Sequence, residues 1–133
     1  MIVLWDRDCG FCAFMLSLML RADSKRVLRP AVIQGPEGEK WLAAMPAEQR
    51  LATFHAVDAG GRVTSGGEAL TVLLRELPAA RPLAALTGAA PGVTDRAYTW
   101  VAANRPLLSK PIPAAAKQRA RGLVARRTRA PGR

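Results

Sequence analysis

Cys9 and Cys12 are the only cysteines in this chain, set three apart in Cys9-Gly10-Phe11-Cys12. Two thiols at this spacing in the first turn of a helix share one face and can close a small disulfide ring. The partial positive charge of a helix N-terminus stabilises a thiolate placed there. The chemistry this implies is reversible dithiol–disulfide exchange. Cys9 is nearer the terminus and the solvent, and is the expected attacking thiol. Cys12, one turn inside, is the expected resolving thiol, which attacks the mixed disulfide and releases the product. A free thiol titrates near ~8.5, and helix termini or basic neighbours lower it to ~3.5–7.5.

The residues around the pair tune it. Asp6 and Asp8 disfavour a nearby thiolate, which points to a mildly reducing centre rather than a strong oxidant. Asp6 either braces the loop through backbone hydrogen bonds or accepts a proton from Cys12. Asp8 is expected to cap the helix, with Cys9 at the first helical position. Trp5 and Phe11 flank the pair; Phe11 is the better candidate for an apolar landing surface and Trp5 for core. Metal binding is the rival use of two cysteines at this spacing. A structural zinc site needs four ligands, and the chain offers two Cys and one His, His55. Neither a metal nor a cofactor is expected, and His55 is expected as a strand residue with a satisfied ring.

These residues need elements to hold them. Residues 2–5 form a continuous apolar run, as in a central buried strand. The helix that follows is expected to end near Arg21 or Ala22. A second strand region spans 25–34, where Pro30 points to a sheet edge or a break. Pro36 can open a helix, 39–45 read as a short amphipathic helix, and 47–51 as a further turn. Residues 53–57 and 62–64 read as a hairpin across Asp58-Ala59-Gly60-Gly61. Ser65-Gly66-Gly67 then caps a strongly amphipathic helix at 68–77. Beyond it, 83–86 suggest a helical turn, Pro91-Gly92 a break, and 96–104 a helix capped by Thr94-Asp95. No internal repeat is present.

The expected fold is therefore α/β and thioredoxin-like. It has a central four-stranded mixed sheet in the order β-α-β-α-β-β-α, with added C-terminal helices. The first crossover is right-handed and makes strands one and two parallel. The Cys pair falls after strand one, where this fold places its dithiol. Thioredoxins usually carry a cis-proline facing the dithiol, just before the third strand; here Leu51-Ala52-Thr53 stand in that region.

Half of the 133 residues are hydrophobic, enough for the core of one domain. Charge is unevenly placed. Residues 1–95 hold ten Lys/Arg and ten Asp/Glu, whereas 96–133 hold ten Lys/Arg and no acid, so the whole +10 lies at the C-terminal end. The expected organisation is a domain at 1–112 and a basic, flexible tail at 113–133 with too few large apolar residues to join the core. Such a tail can touch an anionic partner, although it lacks aromatics for base stacking. The apolar stretch 11–20 is too short to span a bilayer and lacks a small-residue cleavage site. The expected location is the cytoplasm, where a catalytic pair is more plausible than a structural disulfide.

Trp5-Asp6-Arg7-Asp8-Cys9-Gly10-Phe11-Cys12 resembles the signature of the DCC family of thiol-disulfide oxidoreductases, named for an Asp and two Cys. That signature is aromatic-Asp-Gly-x-Cys-x-x-Cys. Residues 58–70 (DAGGRVTSGGEAL) resemble the family's hairpin, Ser-rich turn and helix. Residues 98–105 (YTWVAANR) resemble its closing Tyr-x-x-Val-Ala-x-Asn-Arg element. The resemblance covers roughly residues 2–110. It implies a thioredoxin-like domain and a Cys9/Cys12 couple acting on a protein or small-molecule thiol or disulfide. Arg7 stands where the family usually has Gly. A positive φ there would strain Arg, while its guanidinium can also stabilise the Cys9 thiolate. Tyr98 and Arg105 are expected to tie the last helix onto the domain. The competing expectation is a non-enzymatic binding module that docks through its basic tail.

Overall fold

The computed structural model describes residues 1–129. The chain runs β1 (Ile2–Trp5), α1 (Gly10–Ala22), β2 (Arg29–Val32), α2 (Pro36–Trp41), α3 (Ala47–Ala52), β3 (His55–Val57) and β4 (Val63–Ser65). Helices α4 (Gly66–Glu76), α5 (Arg81–Ala89), α6 (Pro91–Ala103), α7 (Arg105–Ser109) and α8 (Ala114–Arg129) follow. The sheet order is β2-β1-β3-β4. β1 is parallel to β2 and antiparallel to β3, and β3 pairs antiparallel with β4. This is the expected thioredoxin-like sheet, and Pro30 sits in its edge strand, where a missing N–H is tolerated.

β1 is apolar throughout because both of its faces are covered. Val3 and Trp5 join Ala13, Leu16 and Leu20 of α1 and Leu73 of α4 in one core cluster. Leu4 faces the other way, with Ala31, Val57 and Leu42. The buried positions of α1, Ala13, Leu16, Ser17 and Leu20, follow the helical period and form one stripe toward the sheet. α4 meets α6 closely at Gly67, where an added Cβ would stand 2.9 Å from the Cα of Asp95. That contact holds the C-terminal helices against the domain.

Four expectations change. Pro91 does not break a helix but begins α6, because proline at a first turn forfeits no intrahelical bond. The segment 83–86 belongs to a full helix, α5, and the helix expected at 39–45 instead runs Pro36–Trp41.

The fourth change concerns the C-terminal segment. Residues 114–129 are not a solvated tail: they form α8, packed along α1. Ala120 and Val124, one turn apart, are 2% and 1% exposed and belong to the core cluster. Arg127 donates to the Leu20 and Leu28 carbonyls and pairs with the buried Asp23 carboxylate. Small residues allow close helix approach, and long arginine stems cover apolar surface while their heads stay polar. The part of the expected tail at 130–133 lies outside the described residues.

Candidate functional site: the dithiol at the start of the first helix

Cys9 is the N-cap of α1, with extended backbone at φ −98° and ψ 106°. Its carbonyl accepts from Ala13 N–H at 3.1 Å, which begins the helix. Its Sγ accepts from Cys12 N–H at 3.2 Å, so the sulfur fills the role usually taken by a hydroxyl or carboxylate. Asp8 was expected as the cap and is not. It stands one residue too early, exposed in the loop. Cys9 and Cys12 are disulfide-bonded, with Cα atoms 5.2 Å apart.

Asp6 Oδ1 accepts from Asp8 N–H at 2.9 Å and from Gln34 Nε2 at 2.7 Å. Its carbonyl accepts from Cys9 N–H at 3.2 Å. These bonds brace the loop, and among the described residues no hydrogen bond joins Asp6 to either sulfur. Arg7 has no positive φ; Arg26 alone among the described non-glycine residues does. Arg in place of Gly therefore carries no left-handed strain. The Arg7 guanidinium turns to Asp8, with Nε 3.9 Å from Oδ1 and both side chains exposed. Trp5 is buried core, and Phe11 is half-buried beside the pair.

Arg105, at the start of α7, reaches the dithiol. Its Nη1 lies 3.4 Å from Cys12 Sγ, its Nη2 donates to the Leu51 carbonyl at 3.0 Å, and its Nε donates to the Ala102 carbonyl at 3.0 Å. One guanidinium thus links the inner sulfur to the segment before β3, the region where thioredoxins carry their cis-proline. Sequence reasoning gave Arg105 the tie and missed the sulfur. The clue was its presence, with Tyr98, in the 98–105 segment that resembles the family's closing element.

A family model for DCC1-like thiol-disulfide oxidoreductases matches residues 3–111. The chain belongs to this family. No curated protein and no solved structure gives a significant match. Family membership and the Cys9–Cys12 disulfide together support a redox role for the pair.

The DCC1-like match includes Asp6, Arg7, Asp8, Cys9, Cys12 and Arg105, and it ends three residues before α8 begins at Ala114. Yet α8 touches the site loop: Arg121 Nη1 donates to the Arg7 carbonyl at 2.7 Å. Tyr98 pins α6 to the start of β3, since its hydroxyl accepts from Phe54 N–H at 3.3 Å and its ring centroid lies 5.4 Å from that of Phe54. Burial pushes the Tyr98 hydroxyl above its ordinary pKa, so it stays protonated.

His55 is not at the dithiol. It pairs with Leu4, so it faces the opposite side of the sheet from Trp5 and Cys12. Its Nε2 bonds the Arg50 carbonyl at 2.9 Å, which requires a proton on Nε2; its Nδ1 then accepts from Ser65 Oγ at 2.7 Å. Burial lowers its pKa below the ordinary value. Among the described residues, no helix is long and apolar enough to cross a membrane.

Proposed function

We propose that the chain is a thiol-disulfide oxidoreductase in which Cys9 attacks and Cys12 resolves. In the reduced protein the Cys9 thiolate attacks a substrate disulfide, forming a mixed disulfide and releasing one thiolate. The Cys12 thiolate then attacks Cys9 Sγ and releases the second. The substrate gains two electrons, and the Cys9–Cys12 disulfide forms. The observation that carries this reading is the position of the pair. Cys9 Sγ lies at the N-terminus of α1 against the Cys12 N–H, and Arg105 lies against Cys12 Sγ. Both sulfurs therefore have a partner for the charged form, one for each half of the cycle.

Asp6 serves as a positioning residue that holds the loop before Cys9. Arg7 and Asp8 act on the field at the loop surface, and Phe11 lends apolar contact to the substrate. The proposed location is the cytoplasm, where a lone cysteine pair at this spacing suits exchange better than static crosslinking. Labelling the reduced protein with limiting iodoacetamide near neutral pH tests the roles. Cys9 is expected to be modified first; preferential modification of Cys12 would reverse the assignment.

A further inference from the structure

The two sulfurs face different surroundings. Cys9 borders a cleft of about 470 Å³ that also includes Asp6, Asp8 and Ser109. Cys12 instead borders a cavity of about 550 Å³ between α1 and α6, with Trp5, Met15 and Val101 in its wall. Phe11, Ala102 and Arg105 belong to both walls.

The cavity has the character of a ligand site. Its volume lies within the ~300–1,000 Å³ of small-molecule pockets, which are mostly apolar with a few polar groups. Its polar groups include the Arg105 guanidinium beside Cys12 Sγ.

Thiol-disulfide exchange proceeds in line, with the attacking, central and leaving sulfurs close to one axis. Cys9 lines the cleft and not the cavity, and Cys12 lines the cavity and not the cleft, so a substrate sulfur in the cleft is set against Cys9 and one in the cavity against Cys12. We propose that the cavity binds a small apolar disulfide, aryl or alkyl, which exchanges at Cys12. This rests on the Cys9/Cys12 exchange couple proposed above and, for substrates bound in the cavity only, exchanges the roles of its two sulfurs. The Cys12 thiolate, held by Arg105, attacks the apolar disulfide and releases one thiolate, which takes a proton from solvent. The Cys9 thiolate then attacks Cys12 Sγ, closing the intramolecular disulfide and releasing the second thiolate. The apolar substrate gains two electrons. Two polar thiols entering the cleft supply electrons in return: the first attacks Cys9 Sγ and expels the Cys12 thiolate, and the second attacks the sulfur now bound to Cys9, expelling the Cys9 thiolate and leaving joined to the first as their disulfide.

Single-thiol variants test the assignment. Cys9→Ser retains Cys12, and Cys12→Ser retains Cys9. Each is reacted with bis(4-methoxybenzyl) disulfide and with bis(2-hydroxyethyl) disulfide, whose leaving thiols are of similar acidity. The apolar-over-polar rate ratio should be about tenfold or more higher at Cys12 than at Cys9, the scale on which an apolar pocket discriminates. Ala97, exposed on α6 and in the cavity wall but not in the cleft, gives a filling variant, Ala97→Trp. It should abolish the preference at Cys12 and leave Cys9 unaffected. Dibenzyl ether, which cannot exchange, should slow the reaction of Cys12 alone and needs no cavity variant. Equal rate ratios at the two sulfurs, or no protection by the ether, would overturn the cavity assignment while leaving the redox reading in place. Failure of both disulfides to oxidise the wild-type pair would overturn both.

Discussion

In the proposed cycle, the guanidinium 3.4 Å from the Cys12 sulfur sets how readily the second half of the exchange proceeds. A resolving thiol must ionise while its partner is tied up in the mixed disulfide, and a cation beside it favours that step. A hydrogen bond to a charged group contributes ~1.5–3 kcal/mol, and half-burial of Arg105 favours the low end, so Arg105→Gln should raise the Cys12 pKa by about one unit in a Cys9→Ser background. Arg105→Lys should restore most of that shift. The pH profile of iodoacetamide alkylation reads both; an unchanged profile in the Gln variant would leave Arg105 only its tie to Leu51. His55 permits a different test, because it is buried, neutral and remote from the sulfurs. Its folded pKa is lowered, so below pH ~6.5 the unfolded chain binds more protons than the folded one, and stability is lost as pH falls. The unfolding free energy should therefore decline more steeply between about pH 6.5 and 5 in the wild type than in His55→Gln, as followed by urea unfolding at each pH. Two residue roles were hard to read from sequence for a shared reason. Asp8 is a good capping type one position early, and Arg105 lies 93 residues from the thiol it touches.

At the scale of elements, α1 and α8 form a pair that the composition concealed. Residues 114–129 contain six Lys/Arg and only Leu123 and Val124 as large apolar residues, so the segment reads as solvated. It packs because Ala120 brings it close to α1, and because Arg127 satisfies the buried Asp23 carboxylate together with the open carbonyl of Leu20. By contrast, α1, β1 and the β3–β4 hairpin were legible, since an apolar run, a helical stripe and a Gly-Gly turn are local signals. The pairing of α8 is long-range and depends on small residues and one ion pair, which leave no periodic trace. Removing Arg127 leaves the charge of the buried Asp23 carboxylate to the Val27 and Leu28 backbone N–H groups alone among the described residues, so Arg127→Ala should cost about 3 kcal/mol. The midpoint of urea unfolding measures this. A loss below about 0.5 kcal/mol, the scale of surface substitutions, would return 114–129 to the tail expected from sequence.

For the molecule as a whole, one face of the sheet carries the dithiol, its arginine and α8, while the other buries His55. The strand order was legible because the crossover rule and the hairpin leave few alternatives once Ile2–Trp5 is read as central. The position of the cysteines followed from that fold. The two dissimilar surroundings of the sulfurs were not legible, because they arise where α6 and α7 return to the start of α1. The proposed function requires Cys9 and Cys12 to form an exchange couple, not a fixed crosslink. Redox titration of the intact protein in glutathione and dithiothreitol buffers, with alkylation and mass spectrometry at each poise, tests it most directly. The expected result is one two-electron transition at a midpoint between about −120 and −270 mV, the span of exchange proteins. Two free thiols at every poise, or a midpoint below about −300 mV as in structural disulfides, would contradict it.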